Sequence, residues 1–485
     1  MSIRKAGRIG QGTYGIVFAC AQDPNYVVKV EKNKCKLSGV SHSSLREWVI
    51  GTHNQHYNLP RAIHIDLASN SVVYPHYGST IRSIPDLTRN EKISITQQII
   101  RGISYAHCSL GVINRDIKTD NILYDRKTGR CVIIDWGLGR CDAPRVTMTG
   151  HMYTLWYRPP EILMGSRTYN TATDIWALGM VLLEIWMGMN VRGDCNLDQL
   201  FRYFRLWGTP TLAEWPAMTS YGGWKSTFPS WKETWSARKD VQHLKSKEPL
   251  IFDIMEQCLR YDPLTRISIY DLIHHPLLQN QLGAAIFVFP TRQQRVARQT
   301  PLGDIMIHQD DLNWNMRTIL FKWLHEVNDR TNYSHQTLLL AFQTCDRVLS
   351  KVTTHRTKLQ LLGIMCLVLA SKMTECEYMS PLQGSKMTKG VYTVKECVQE
   401  EQHILEVVGM DVLDATPLLF IPEQEQDMVM PTILALALTN RYTCYTSHCV
   451  ALAARMVHGT LDSPENPWTC EATIQDCVRT MRKSI

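Results

Sequence analysis

Asp116 and Asn121 stand five residues apart in Asn114-Arg115-Asp116-Ile117-Lys118-Thr119-Asp120-Asn121, a polar stretch that reads as a loop. A carboxylate held there can accept the proton of a hydroxyl. Oxygen donors from Asn121 and from a later Asp135 can share Mg²⁺. That aspartate follows across a hairpin, in Asp135-Trp136-Gly137. Upstream, Gly10, Gly12 and Gly15 form Gly-x-Gly-x-x-Gly. Residues without a Cβ let backbone N–H groups approach phosphate oxygens. Alone the pattern is a common turn, and the strand that follows it speaks against a dinucleotide-binding turn. Lys29 ends the next strand, and Glu47 lies 18 residues further on in a helical stretch. An ammonium held by such a carboxylate would face nucleotide phosphates, although either charge alone is ordinarily a solvated surface residue.

The elements that must position these groups are legible in outline. Ile16-Val17-Phe18 and Tyr26-Val27-Val28 are β-type runs joined by a turn at Asp23-Pro24-Asn25. Ser43-Ser44 precede a helical stretch from Leu45 to His53, and helical patterning dominates from Ile93, as in Ile95–His107 and Ala172–Met187. One hairpin interrupts it, Ile122–Tyr124 with Cys131–Ile134. A small β-rich part followed by a larger helical part predicts two lobes. Residues 281–305 lack periodicity and read as a linker. Beyond it, Met316, Ile319, Leu320, Trp323, Leu324 and Val327 share one helix face, as do Leu338, Ala341, Phe342, Cys345 and Leu349. Leu359 to Ala370 is apolar nearly all round, which predicts a helix surrounded by its neighbours.

With Pro160-Glu161, Asp174-Ile175-Trp176 and Arg266 added in order, residues 7 to about 280 resemble a eukaryotic-type protein kinase. The resemblance implies that Lys29 binds ATP phosphates and pairs with Glu47, with Gly10, Gly12, Gly15 and Val17 over the nucleotide. It implies Asp116 as catalytic base, Lys118 and Thr154 positioning the acceptor hydroxyl, Asn121 and Asp135 on Mg²⁺, and a Glu161–Arg266 ion pair. Thr154-Leu155-Trp156-Tyr157-Arg158, Leu206-Trp207-Gly208-Thr209-Pro210 and Tyr261-Asp262-Pro263 are similar to cyclin-dependent kinases. That likeness implies an activating phosphothreonine at Thr149, cradled by Arg46, Arg115 and Arg140, and phosphosites at Thr13 and Tyr14. It also implies Ser/Thr-Pro substrates, with Arg158 bracing the prolyl pocket. Asn114 replaces the family's His, Trp136 its Phe and Pro159 its Ala; Ser41 to Glu47 matches its cyclin-docking helix only in part.

Residues 310–412 resemble a cyclin box, carried by Met316-Arg317-Thr318-Ile319-Leu320, Trp323-Leu324-His325-Glu326-Val327, Cys345-Asp346-Arg347-Val348-Leu349-Ser350 and Leu369-Ala370-Ser371-Lys372. The resemblance implies that Lys372 and Glu401 contact the kinase's first helix at Leu45, and that Arg317 pairs with Asp346. Met316, Leu320, Trp323, Glu326 and Gln360 match a groove for Arg-x-Leu substrate motifs, though such spacing equally describes core. The expected architecture is α+β: a bilobal kinase fold (1–79 and 80–280), a linker, an all-α cyclin-like bundle (306–412) and a truncated second repeat (413–485). Kinase and activator on one chain replace an encounter by a tether, and about 25 linker residues can reach roughly 80 Å, enough for the cyclin-like part to dock in cis, with docking in trans onto a second copy as the alternative.

Composition narrows the rest. Of 485 residues 44% are hydrophobic and 20% charged, which excludes a mainly disordered chain. The charge sum, 52 minus 45 or +7, carries no basic block, so no nucleic-acid partner is expected. The 15 cysteines include no Cys-x-x-Cys pair, which disfavours disulfide and zinc frameworks. Met1–Lys5 opens no apolar run and the longest apolar stretch, Leu361–Ala370, falls short of a membrane span, so no membrane partner is expected. A cytoplasmic or nuclear location follows as an expectation. The competing reading is a non-catalytic protein that sequesters cell-cycle regulators through the same surfaces.

Overall fold

Val and Tyr dominate Val27-Val28-Lys29-Val30 and Val72-Val73-Tyr74, and turn residues separate these runs, so extended strands are the local preference. The computed structural model describes residues 4–12, 15–32, 38–141, 154–167, 170–279, 301–413, 416–461 and 471–484. Thr13, Tyr14 and Thr149 lie outside the described residues. Five strands, β1 (Lys5–Gln11), β2 (Gly15–Cys20), β3 (Tyr26–Glu31), β4 (His64–Asp66) and β5 (Ser71–Pro75), form an antiparallel sheet in the order β1-β2-β3-β5-β4. Lys29 lies opposite Val17 on one side and Val72 on the other. Opposed residues share a face, so Val17 and Lys29 look into the same cleft.

A docking helix (His42–His53) departs from this sheet. It begins three residues before the expected Leu45, because extended Ser41, rather than Ser43-Ser44, accepts the Ser44 N–H and caps it. The helical lobe contains the helix Arg89–Tyr105, capped by a Thr88–Glu91 box, and the buried helix Ala172–Met187. The short strand Ser79–Thr80 pairs with the hairpin Ile122–Asp125 and Arg130–Ile133, which moves the lobe division to just before Ser79.

The C-terminal bundle contains Trp314–Thr331, His335–Leu349, a central helix (Leu359–Thr374), Pro381–Met387 and Val394–Val408. Among the described residues three further α-helices, Gln426–Ala437, Ser447–Val457 and Glu471–Ser484, follow in the stretch where a truncated second repeat was expected. Arg317 joins the two sets. Its guanidinium meets Asp346 at 2.6 and 2.7 Å and donates to the Ala437 carbonyl at 2.8 Å, all fully buried. Residues 356–374 are long and apolar enough to cross a membrane (19 residues, mean hydropathy 1.2), which corrects the expectation that no stretch reaches that length. Their apolarity is explained by neighbours, since 83% of that window is buried inside the bundle. The linker is also shorter than expected: Gly303 N–H donates to the Thr443 carbonyl and Ile305 is 1% exposed, so 301–305 belong to the bundle.

Two apolar cores result. Leu45, Trp48 and Val49 of the docking helix share one with Phe321, Leu338 and Leu369 of the bundle, while Ile50 belongs to the core of the helical lobe. The helix that carries Glu47 is therefore packed from both sides.

Candidate active site

A cavity of about 1090 Å³ opens between the sheet and the hairpin, lined by Gly10, Gly12, Val17, Lys29, Asn121 and Asp135 among others. Its glycines differ in purpose. A Cβ at Gly15 would press on the Val30 carbonyl at 3.0 Å and on the Lys29 stem at 3.2 Å, whereas Gly10 and Gly12 face open space. Lys32, which no sequence motif marked, donates to the Gly12 carbonyl at 2.5 Å and lines the same cavity. Lys29 Nζ lies 2.6 Å from Glu47 Oε2 and 3.2 Å from Asp135 Oδ1. Burial opposes the Lys29 charge, but the Glu47 and Asp135 carboxylates outweigh it and hold the ammonium above its ordinary pKa. The group stays cationic at the floor of the cleft.

The catalytic loop is built around one buried carboxylate of the helix Ala172–Met187. Asp174 accepts the backbone N–H groups of Asn114 (2.7 Å) and Arg115 (3.0 Å), and its Oδ2 lies 2.9 Å from His107 Nε2. Asn114 then turns inward, its Oδ1 accepting the Asp116 N–H at 3.0 Å, so the family's usual imidazole is replaced by a local turn that still aims Asp116. Lys118 Nζ reaches Asp116 Oδ2 at 2.6 Å and Thr154 Oγ1 at 2.9 Å. The Thr154 hydroxyl in turn donates to Asp116 Oδ1 at 2.9 Å. Asn121 commits its amide nitrogen to the Asp116 carbonyl and Oδ2, both at 3.0 Å, which leaves its Oδ1 as an acceptor. Arg115 (φ 67°) and Asp135 (φ 60°) both adopt left-handed backbone, a strained state for residues with a Cβ and one that surrounding contacts must hold. Trp136 supplies one such contact. Its indole N–H donates to the Ile133 carbonyl at 2.8 Å, a bond that the phenyl ring of Phe would lack.

The bundle closes on the docking helix from behind. Lys372 and Glu401 form an ion pair that is 1% and 0% exposed. Lys372 Nζ donates to the Val40 carbonyl at 2.6 Å and Glu401 Oε2 accepts the Val40 N–H at 2.9 Å. One residue earlier, Gly39 has φ 67°, and a Cβ there would collide with the Glu401 carboxylate. Arg46 and Arg140, expected to cradle phosphate, also donate to the end of the central helix. Arg46 reaches the Lys372 carbonyl at 2.9 Å and the Glu375 carbonyl at 3.2 Å, while Arg140 reaches the Thr374 carbonyl and Cys376 Sγ. Helix C-termini present unpaired carbonyls and partial negative charge, so guanidinium groups fit there as they fit phosphate. Arg115 instead donates to the Leu138 carbonyl at 2.8 Å. Sequence reasoning missed the seam's far end, where His53 Nε2 lies 3.2 Å from the Met410 carbonyl and 3.4 Å from Asp411, and Gln402 donates to the Leu67 carbonyl at 3.2 Å. Single exposed-type residues leave no periodic signal to find.

His42 lies in this seam. Its ring lies 4.6 Å from that of Tyr378. Burial, and then the charges of Arg46, Lys372, Arg115 and Arg140, lower its pKa from 6.5 to about 4. The folded state thus binds fewer protons than the unfolded one, so this contribution is complete above pH 6.5 and is lost as pH falls toward 4. His42→Phe is expected to flatten the decline in melting temperature between pH 7 and pH 5 relative to the wild type. Parallel declines in the two proteins would refute this.

Two family matches follow the geometry. The protein kinase domain matches residues 3–278, and the N-terminal domain of cyclins matches residues 286–412. The chain belongs to the protein kinase family. A cyclin domain is fused behind the kinase domain, and it is docked on the kinase of its own chain. The kinase domain implies ATP as substrate, usually with Mg²⁺. Asn121 Oδ1 and the Asp135 carboxylate are hard oxygen donors on one wall of the cleft, the ligand type that Mg²⁺ requires, so the residues present fit the ion. The Glu161–Arg266 pair is bidentate at 2.6 and 2.7 Å, and Arg158 donates to Asn196 Oδ1 at 2.6 Å. The expected docking groove of the cyclin domain is redrawn in part. Leu320 is 5% exposed and packs where a Cβ on Gly363 would sit, so it serves the core. Met316, Trp323 and Gln360 are half-buried, Glu326 is exposed and faces Arg330 at 3.7 Å, and Ile319 is 60% exposed.

Proposed function

We propose that this cyclin-associated kinase is a proline-directed serine/threonine kinase of the cyclin-dependent type, activated by its own fused domain and acting in cell-cycle or transcription control. The observation that carries the reading is the docking helix, held by Lys372 and Glu401 at its start while Glu47, five residues beyond the helix N-terminus, engages Lys29. In the transfer step the acceptor hydroxyl attacks the γ-phosphorus, its proton passes to Asp116 and ADP leaves. Lys118 and Thr154 hold the acceptor side, Lys29 holds the phosphates, and the glycine turn covers them. Bound through Asn121 and Asp135, Mg²⁺ would neutralise phosphate charge. Met316, Trp323, Glu326 and Gln360 are the proposed contacts for Arg-x-Leu motifs, and Thr149 the proposed activating phosphosite. An Asp116–Lys118–Thr154 cluster of this kind has no use in a purely sequestering protein, which disfavours the non-catalytic alternative.

The test uses the full chain with Mg·ATP and paired peptides differing only in Ser-Pro or Ser-Ala. Labelling without added cyclin, at least about tenfold faster for Ser-Pro, which is a discrimination of about 1.4 kcal/mol, is the expected result. Equal labelling removes the proline-directed reading. Labelling only after a separate cyclin is supplied removes self-activation.

A further inference from the structure

Directly behind the catalytic groups, three side chains from three segments meet in a largely buried knot, Thr119 and Tyr157 buried and Glu184 13% exposed. The Thr119 hydroxyl, on a residue 2% exposed, donates to Glu184 Oε2 at 2.9 Å and lies 3.0 Å from the Tyr157 hydroxyl. Tyr157 donates to the same Glu184 oxygen at 2.5 Å. Thr119 follows Lys118, and Tyr157 closes the short turn Leu155–Tyr157 that follows Thr154. Glu184 comes from the last turn of the helix whose first turn carries Asp174. Its other oxygen faces Arg82 Nη2 at 3.6 Å, and Arg82 Nη1 donates to Asp120 Oδ2 at 2.5 Å.

One rigid helix therefore grips the catalytic loop twice, ten residues and about 15 Å apart. Asp174 holds the backbone just before Asp116, and Glu184 holds the turn just after Lys118. The second grip also reaches the segment that bears Thr154. None of Thr119, Tyr157 and Glu184 lines the cleft. Their leverage is on distance: Lys118 and Thr154 must both reach Asp116, and one carboxylate oxygen shared by Thr119 and Tyr157 sets how far apart their two segments stand. Burial of the two donors makes that restraint stiff, because a Thr119 or Tyr157 hydroxyl pulled from the shared carboxylate is left with little access to water.

We propose that Thr119 is a positioning residue for phosphoryl transfer, its hydroxyl tying the catalytic loop to the Thr154 segment through Glu184 and Tyr157. This rests on the catalytic reading above. Thr119→Val keeps the shape and removes the hydroxyl, and Thr119→Ser restores it. On a Ser-Pro peptide, Thr119→Val is expected to lower kcat about tenfold with the KM for ATP within about twofold, and Thr119→Ser to recover wild-type kcat within about threefold. Tyr157→Phe removes the other donor and serves if the valine variant does not fold, as judged by its melting temperature. In the double variant the loss should be no larger than the greater single loss, since both break one tie. Wild-type kcat in Thr119→Val, equal defects in Val and Ser, or a loss confined to the KM for ATP would each overturn the proposal. A wild type without transfer would overturn the catalytic reading along with it, whereas an active wild type with an indifferent valine variant overturns this inference alone.

Discussion

Asp116→Asn is expected to lower kcat by about 10² to 10⁴-fold while leaving the KM for ATP within about threefold, the range in which a positioned general base contributes. The replacement keeps the shape of the side chain. Its amide oxygen can still accept from the Thr154 hydroxyl, which lies 2.9 Å from Asp116 Oδ1. It cannot take up a proton. Lys118, 2.6 Å away, loses its counter-charge and the Asn121 amide loses its Oδ2 acceptor, but the Lys118 side chain is 19% exposed and water can solvate it, so the melting temperature should fall only modestly. Initial rates over a range of ATP concentrations, beside a thermal melt, separate chemistry from folding. A residual rate within tenfold of wild type would show that Asp116 is not the proton acceptor.

Glu401→Ala is expected to detach the cyclin domain from the docking helix. It strips Lys372 of its ion-pair partner at a site where both side chains are at most 1% exposed. Removing one partner of a buried pair typically destabilises by about 3–5 kcal/mol, because an uncompensated charge remains. Val40 N–H is orphaned by the same change, since Glu401 Oε2 is its acceptor at 2.9 Å. With the seam open, the docking helix keeps only its Ile50 side packed and Glu47 is less firmly held toward Lys29, so peptide phosphorylation should fall at least about tenfold, while small-angle scattering should report a larger radius of gyration. The double variant Lys372→Met/Glu401→Leu distinguishes stability from docking. Two apolar side chains can replace the pair inside the bundle and recover its melting temperature. They offer nothing to the Val40 N–H and carbonyl, so activity should stay low. Full activity in the double variant would mean that the buried pair is not what seats the helix.

Some features of the chain could be read without coordinates because they are local. Strand and helix periods follow from side-chain direction, so the runs at Ile16–Phe18, Tyr26–Val28, Ala172–Met187 and Leu359–Ala370 were legible to within a few residues. Lys29, Glu47, Asp116, Asn121 and Asp135 could be singled out because their order and intervals resemble those of protein kinases, and the structure gathers Lys29, Glu47, Asn121 and Asp135 on one cavity, with Asp116 beside Asn121. Helix starts were less so. The Ser41 cap depends on a single side-chain acceptor, and Ser41, Ser43 and Ser44 compete for that position on paper.

By itself, the amino-acid order determined a two-lobed catalytic body joined to a helical one, together with the inventory of reacting groups. Tertiary structure alone decided the partnerships. Arg46 and Arg140 are equally suited to phosphate and to helix-end carbonyls, and only the approach of the central helix brings Lys372, Thr374 and Glu375 to them. Leu320 fits a groove or a core equally well until Gly363 is seen beneath it. Thr119, Tyr157 and Glu184 are separated by 27 to 65 residues and share no motif. The physical reason is common to all three cases. Periodicity records which side of an element is apolar, but a donor's partner is whatever acceptor the packed chain carries within 3 Å, and that is a property of the fold rather than of the spacing.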